Sequence, residues 1–335
     1  MPGVRKRGKE IRDFIIENIY RNPSIAAQTA KEFGISLPAV YKHIDRLAQD
    51  KVIVKSDVGY LLLPSNDYRY TYKITDDLSE DSIWEQDIKQ HFISYPENVK
   101  RIAVYAFLEI FNNAIDHSKG SEIVVWIYVY PTYITVSIND NGIGIFKNIQ
   151  DKFGLLNRKD ALLELSKGKR TTDKSRHSGQ GIFFVSKAVD GFAIVSDNTM
   201  FVPMKEGNYH EPADSRQFAT SVFMQIKNNS KKELKKVFDE FSTETPGDFD
   251  KTMVPIKLAN SEDLVSRSQA RRVLAGLELF KEVTMDFTDI KYIGQAFADE
   301  IFRVFVNTNP STKIIEANTN SDVQSMINRA RNTKL

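Results

Sequence analysis

Apolar residues recur at helical spacing through the first fifty positions and then give way to short strand-like runs. KEIRDFIIENIY places Ile11, Phe14, Ile15 and Ile19 on one face. SIAAQTAKEFG follows, with Ser24 positioned as an N-cap and Gly34 as a stop. ISLPAVYKHIDRLAQDK has Ser36 as cap, Pro38 in the first turn, and Val40, Ile44 and Leu47 facing inward. VIVKSDVGYLLL then reads as two strands joined around Asp57 and Gly59. The pattern predicts three short helices and a hairpin over residues 9 to 64.

From residue 66 the pattern changes. A strand (YRYTYKIT) and a helix (SEDSIWEQDIKQHFI) lead into a long helix containing EIFNNAIDHS, residues 109 to 118. EIVVWIYVY and YITVSIND are alternating strands that turn at Pro131 and Thr132, and the second runs into DNGIG, residues 140 to 144. Residues 146 to 178 read as polar, Lys-rich and irregular towards their C-terminal end. GQGIFFVSKAVDGF is a Gly-rich turn opening a helix, and ATSVFMQI closes the unit near residue 228. Beyond a helical linker over 229–250, VTMDF, AFADEIFRVFV and KIIEA alternate strand, helix and strand. That alternation predicts a small α/β layer over 251–335.

The long helix poses a chemical question. Glu109, Asn113 and Asp116 are spaced by four and three, so they share one face of a helix whose other positions are largely apolar. Charged and amide groups on such a helix are costly unless something polar satisfies them. Asp140, Gly142 and Gly144 offer a carboxylate at a strand end and a backbone free to turn beside it. That carboxylate can accept a hydrogen bond from an exocyclic amine such as adenine's. Gly179 and Gly181 precede a helix whose N-terminal N–H groups can face phosphates. Asn113 can offer its amide oxygen to Mg²⁺, and Glu109 can orient a water or hydroxyl as a base.

Composition narrows the picture modestly. The 335 residues leave room for two or three domains, and the net charge of +2 is unevenly spread. Residues 1 to 60 carry 11 Lys+Arg against 7 Asp+Glu, so the remainder is slightly acidic. With no cysteine there is no disulfide or thiolate metal site, and the histidines show no paired ligand spacing. The basic N-terminus lacks the apolar core of a signal peptide, and no apolar run reaches membrane-spanning length. A soluble, cytoplasmic protein is expected.

The second unit resembles the ATP-binding domain shared by DNA gyrase, Hsp90-type chaperones, histidine kinases and MutL, the GHKL superfamily. Glu109, Asn113 and Ala114 match its E-x-x-x-N-A box, with Asp116 at a frequent polar position. Asp140, Gly142 and Gly144 match D-x-G-x-G, and Gly179 and Gly181 match part of the second glycine box, where His177 replaces a further glycine. Thr220 matches the Thr of a late G-T-x-V strand, with Ala219 in place of its glycine. The resemblance implies ATP and Mg²⁺ as ligands, and residues 146 to 178 as a mobile lid. In that lid Lys174, with Lys169, Arg170 and Arg176, would reach the phosphates; the alternative is a solvated basic loop.

The first unit resembles a winged helix-turn-helix, which would place SLPAVYKHIDRL in the DNA major groove and the 51–62 hairpin as the wing. The resemblance makes Tyr41, Lys42 and His43 candidates for DNA contact. Arg5, Lys6, Arg7 and Lys9 could neutralise phosphates. Leu37 stands where a polar residue usually follows the cap. The alternative is a protein-docking module of three helices.

Residues 251–335 resemble the STAS-like domains of anti-anti-sigma factors. Asp286, Phe287 and Ile293 match that pattern, but the D-S-S-G turn reads Gly294, Gln295, Ala296, Phe297, so the phosphoacceptor serine has become Ala296. The fold expected is thus a multidomain α/β protein: winged helix-turn-helix (1–64), α/β sandwich of the GHKL ATPase type (66–228) and small STAS-like α/β domain. Two main functions are compatible with it. One is a DNA-binding transcriptional regulator controlled by Mg-ATP; the other is an anti-sigma-type serine/threonine kinase acting on a separate STAS protein. A GHKL ATPase in stress or phage defence is a third. DNA, a protein partner at the STAS-like domain and a second copy of the chain are the partners expected, with no membrane. Whether phosphate passes to water, to protein or nowhere stays open.

Overall fold

The computed structural model describes the chain except residues 1, 20, 21, 58, 169–179, 198, 204–216, 244–247, 260–262, 334 and 335, and except the side chains of 2–6, 158 and 159. Among the described residues no helix is long and apolar enough to cross a membrane.

The N-terminal unit consists of α1 (Pro2–Asn18), α2 (Ile25–Phe33), α3 (Leu37–Gln49) and a hairpin of β1 (Ile53–Ser56) with β2 (Gly59–Leu62). Ile11, Ile15, Ile19, Ile25, Val40, Ile44, Leu47 and Ile53 form its own apolar core, separate from that of the rest of the chain. Gly34 ends α2 in the left-handed conformation, at φ 60°. The pattern predicted these elements but began α1 late: the helix includes the basic residues from the start, so they form no extended arm.

The second unit is built on a six-stranded antiparallel sheet of order β3-β4-β5-β8-β6-β7. Its strands are β3 (Asn66–Lys73), β4 (Glu122–Val129), β5 (Tyr133–Asp140), β6 (Gly191–Ser196), β7 (Thr199–Phe201) and β8 (Thr220–Lys227). Strand alternation sends Ile123, Val125, Ile127, Ile134, Val136 and Ile138 into the main core. That face is covered by α4 (Glu80–Ile83), which runs on through π and 3-10 turns to Phe92, by α5 (Glu97–His117) and by α8 (Gly181–Ala188). Val99, Ile102, Ala103, Ala106, Phe107, Ile110, Phe111 and Ala114 form the buried stripe of α5. The sequence pattern missed β6 and β7, because Phe192 and Ile194 directly follow a helix and look like its continuation; the helix ends at Ala188.

Of the lid segment, the C-terminal end expected to be irregular lies, from residue 169 on, outside the described residues. Residues 145–167 fold into α6 (Ile145–Phe153) and α7 (Arg158–Lys167). Gly154 stops α6 at φ 61°, the Asn157 side chain caps α7 by accepting from the Asp160 N–H at 3.1 Å, and Gly168 stops it at φ 82°. Ala161, Leu162 and Leu163 of α7 are buried.

The third unit has a parallel sheet of order β11-β10-β9, formed by β9 (Lys251–Pro255), β10 (Glu282–Asp286) and β11 (Lys313–Ala317). Its helices are α10 (Arg267–Leu274), a helical stretch over 295–308 and a C-terminal helix (Ser321–Asn332). The preceding segment, read from sequence as a helical linker, carries α9 (Leu234–Glu240) and, beyond that reading, an aromatic seam. Phe249 lies with ring centroids 4.7 Å from Phe183, 4.9 Å from Phe184 and 5.2 Å from Phe280, so one apolar core spans the second and third units.

Candidate functional site

The C-terminal half of α5, the ends of β5 and β8, α6, the end of α7 and the start of α8 enclose a cavity of about 400 Å³. That volume lies in the range of small-ligand pockets, roughly 300–1,000 Å³. Glu109, Asn113, Asp140, Gly144, Gly181 and Thr220, all expected from the sequence to belong to a site, are among its lining residues.

Asp140 is the most constrained of them. It ends β5 directly opposite Thr220 at the start of β8, a pairing fixed by the antiparallel register. The carboxylate is 6% exposed and accepts the Gly142 N–H at 2.9 Å and the Thr220 hydroxyl. Burial pushes its pKa above the ordinary carboxylate range, and these two donors pull it only part of the way back. Thr220 in turn accepts the Ile145 N–H at 3.1 Å, joining the start of α6 to the same corner.

The glycines of DNGIG have separate tasks. Gly142 does not line the cavity: a Cβ there would lie 2.0 Å from the Ser118 carbonyl oxygen, so the residue lets the turn pack on the end of α5. Ile143 donates to the same carbonyl at 2.8 Å. Gly144 lines the cavity at φ 84°, a conformation L side chains rarely adopt, and caps α6.

Across the cavity, α5 supplies the opposing wall. Asn113 donates its amide N–H to the Glu109 carbonyl at 2.7 Å, which turns its amide oxygen into the atom able to ligate a cation. The Glu109 carboxylate reaches the start of α8: a Cβ on Gly181 would lie 2.0 Å from its Oε2. Burial first and the Glu109 carboxylate second push the Tyr105 hydroxyl above its ordinary pKa.

Asp116 departs from expectation. It shares the helical face of Glu109 but sits exposed on the last turn, and Asn112 and His117 take its place in the wall. The period of a helix fixes a direction; it does not fix how far along the axis the cavity extends. Lys174 and Gly179, with Lys169, Arg170, Arg176 and His177, lie outside the described residues.

Several lining residues carried no sequence signal as a motif. Asn148 on α6 is buried and donates to the His117 carbonyl at 3.0 Å, tying α6 to the end of α5. Glu164, Leu165 and Gly168 come from α7, and Phe153 from α6. The spacing of Ile145, Phe146, Ile149 and Phe153 could have revealed α6 as an amphipathic helix.

The residues present fit a magnesium-bound adenine nucleotide. A buried carboxylate stands ready to accept from an exocyclic amine, an amide oxygen and a carboxylate face it from α5, and a helix starts at a glycine beside them. If Asp140 is that acceptor, nucleotide affinity falls as pH drops through its raised pKa, by about tenfold per unit below it. An ordinary aspartate, near about 3.9, would tolerate more acid. Titration calorimetry between about pH 7 and 4.5 checks this, with proton release on binding near the free-state pKa as its signature.

The N-terminal candidates are dispersed. Tyr41 and Lys42 are exposed on α3 beside Leu37. His43 is half-buried instead, with its ring edge against Gly8 of α1, and burial together with Arg12 lowers its pKa. Arg7 donates to the Phe33 carbonyl at the end of α2 at 2.8 Å, and Lys9 pairs with Asp13 at 3.1 Å. Arg5 and Lys6 lie in α1, and their side chains are outside the described set.

Residues 98–204 match the family of histidine kinase-, DNA gyrase B- and HSP90-like ATPases, and residues 269–324 match a STAS-like domain of unknown function (DUF4325). No curated protein matches the chain. The chain therefore contains a GHKL-type ATPase domain and a STAS-like domain within a mixed α/β, multidomain architecture.

Proposed function

We propose that this chain is a nucleotide-controlled regulator, in which Mg-ATP held in the GHKL cavity governs binding of the N-terminal unit to DNA or of the STAS-like unit to a protein. The observation that carries the reading is the buried Asp140–Thr220 corner facing Glu109 and Asn113 across one cavity. In this reading Asp140 recognises the adenine amine, Asn113 ligates Mg²⁺ and the N-terminus of α8 faces the phosphates. Bound there, the nucleotide supplies a γ-phosphate whose presence or absence distinguishes two states of the chain.

The N-terminal unit is read as a winged helix-turn-helix on its order of three helices and a hairpin. Tyr41 and Lys42 present an exposed α3 surface to DNA, and the excess of basic residues favours phosphate contact. His43 is half-buried against α1, while Arg7 and Lys9 are exposed, and their surface contacts with the Phe33 carbonyl and Asp13 leave them open to phosphate.

A second reading is favoured by Glu109, whose carboxylate lies at the start of α8 and could act as a base for phosphoryl transfer to a hydroxyl. It makes the chain an anti-sigma-type serine/threonine kinase acting on a separate STAS protein, since Ala296 leaves its own STAS-like domain without an acceptor.

The test is selection from a random duplex pool by the intact chain and by Asn113→Ala, with and without Mg-ATP, while ADP release is followed. A nucleotide-dependent change in affinity or selected sequence, absent in the variant and with no ADP formed, supports the regulator. DNA binding indifferent to nucleotide defeats control of DNA binding and leaves only control of a protein partner, and ADP release in its place moves the reading to the enzyme.

A further inference from the structure

The end of α7 belongs to two sites at once. Glu164, Leu165 and Gly168 line the nucleotide cavity, while Lys167, between them, points away into the third unit. Its side chain is 1% exposed, and its ammonium meets Glu164 at 2.8 Å, the Arg272 carbonyl at 3.1 Å and the Ala275 carbonyl at 2.9 Å. Those carbonyls belong to the last turn of α10, where helix carbonyls lack intrahelical donors. A lysine from the ATPase domain thus caps a helix of the STAS-like unit, with a charge favourable to that end of the helix. The joint is reinforced twice. Thr252 on β9 donates to the Lys167 carbonyl at 2.9 Å, and Arg272 approaches Asp160 at 3.7 Å. From α10 the connection continues through Arg271, which bonds Glu300 in the 295–308 helical stretch at 2.7 Å.

We infer that Lys167 is a cross-brace through which the STAS-like unit sets the nucleotide affinity of the cavity, and through which nucleotide occupancy is reported to that unit. The inference rests on the nucleotide reading of the cavity. Moving α7 without α10 would take the Lys167–Glu164 pair along intact but would strip the buried ammonium of its two carbonyl acceptors and uncap α10, leaving buried polar groups unsatisfied, which is unfavourable. Any rearrangement of the Glu164–Gly168 wall on nucleotide binding must therefore carry α10 with it. Coupling of this kind is reciprocal: whatever shifts α10 shifts nucleotide affinity by the same factor. Lys167 does not line the cavity, so it acts as a positioning residue.

The test uses the full chain. Hydrogen exchange is followed over residues 266–275 and 295–305 with and without Mg-ATP, alongside nucleotide affinity for wild type, Lys167→Met and Thr252→Val. The second variant sits on β9, away from the cavity, and loses a single hydrogen bond, so it reports even if the first fails to fold. Expected are nucleotide-dependent protection of 266–275 in wild type, and a dissociation constant raised about fivefold or more in a folded variant, with that protection lost. If wild type binds Mg-ATP but exchange at 266–275 ignores it and both affinities stay within about twofold of wild type, well below the usual range of coupling, the brace is overturned and the nucleotide reading survives. If wild type binds no nucleotide, both fall.

Discussion

Replacing Asp140 by Asn is expected to weaken Mg-ATP binding at least tenfold while leaving the nucleotide-free chain as stable as wild type or more so. A hydrogen bond to a charged group contributes about 1.5–3 kcal/mol, and about 1.4 kcal/mol is tenfold in affinity. The stability half follows from the sign of the pKa shift. Asp140 holds its proton more tightly in the folded chain than an exposed aspartate does, because burial penalises the ionised form. The folded state therefore binds more protons across the window between the unfolded and folded values, and stability falls as pH rises through it. A neutral, isosteric side chain removes that penalty and can keep a hydrogen bond to Gly142. Thermal melts of both proteins near neutral pH, with and without Mg-ATP, separate the two effects. A variant that melts earlier without nucleotide, yet binds it normally, would make Asp140 a structural residue.

Truncating Phe249 to Ala is expected to destabilise the joint core of the second and third units by about 3–5 kcal/mol, the usual cost of emptying a large buried aromatic site. Phe249 is 5% exposed and its ring meets Phe183, Phe184, Phe241 and Phe280. The N-terminal unit has an apolar core of its own. Calorimetry of the intact chain should therefore resolve two transitions, and Phe249→Ala should lower the larger one and leave the smaller unmoved. A variant that splits the larger transition in two would show that the seam, and not a common core, joins the ATPase and STAS-like units.

The chemistry of the candidate site was legible where it is local. Glu109 and Asn113 are one helical turn apart, and DNGIG is a turn that needs its glycines, so both could be read from spacing alone. The wall formed by α7 was not legible in the same way. Lys167 reads in sequence as one more solvated lysine of a polar segment, because burial of a charge depends on carbonyls contributed by residues over a hundred positions later. Asp116 failed in the opposite direction: its position on the face is right, yet it is exposed, and His117 lines the cavity.

By itself the sequence determined most of the helices and strands and which face of each turns inward, since these follow from periods of 3.6 and 2 and from capping residues, while α6, α7, β6 and β7 escaped it. It also determined the inventory of polar groups able to hold a nucleotide. Only the tertiary structure decided which of them meet. Register between β5 and β8 set Asp140 against Thr220, the packing of α6 brought Asn148 to His117, and the seat of α7 on α10 joined the cavity to the STAS-like unit. The reason is that apolar burial is non-directional: a pattern says that a face must be covered and leaves the covering element to the whole chain.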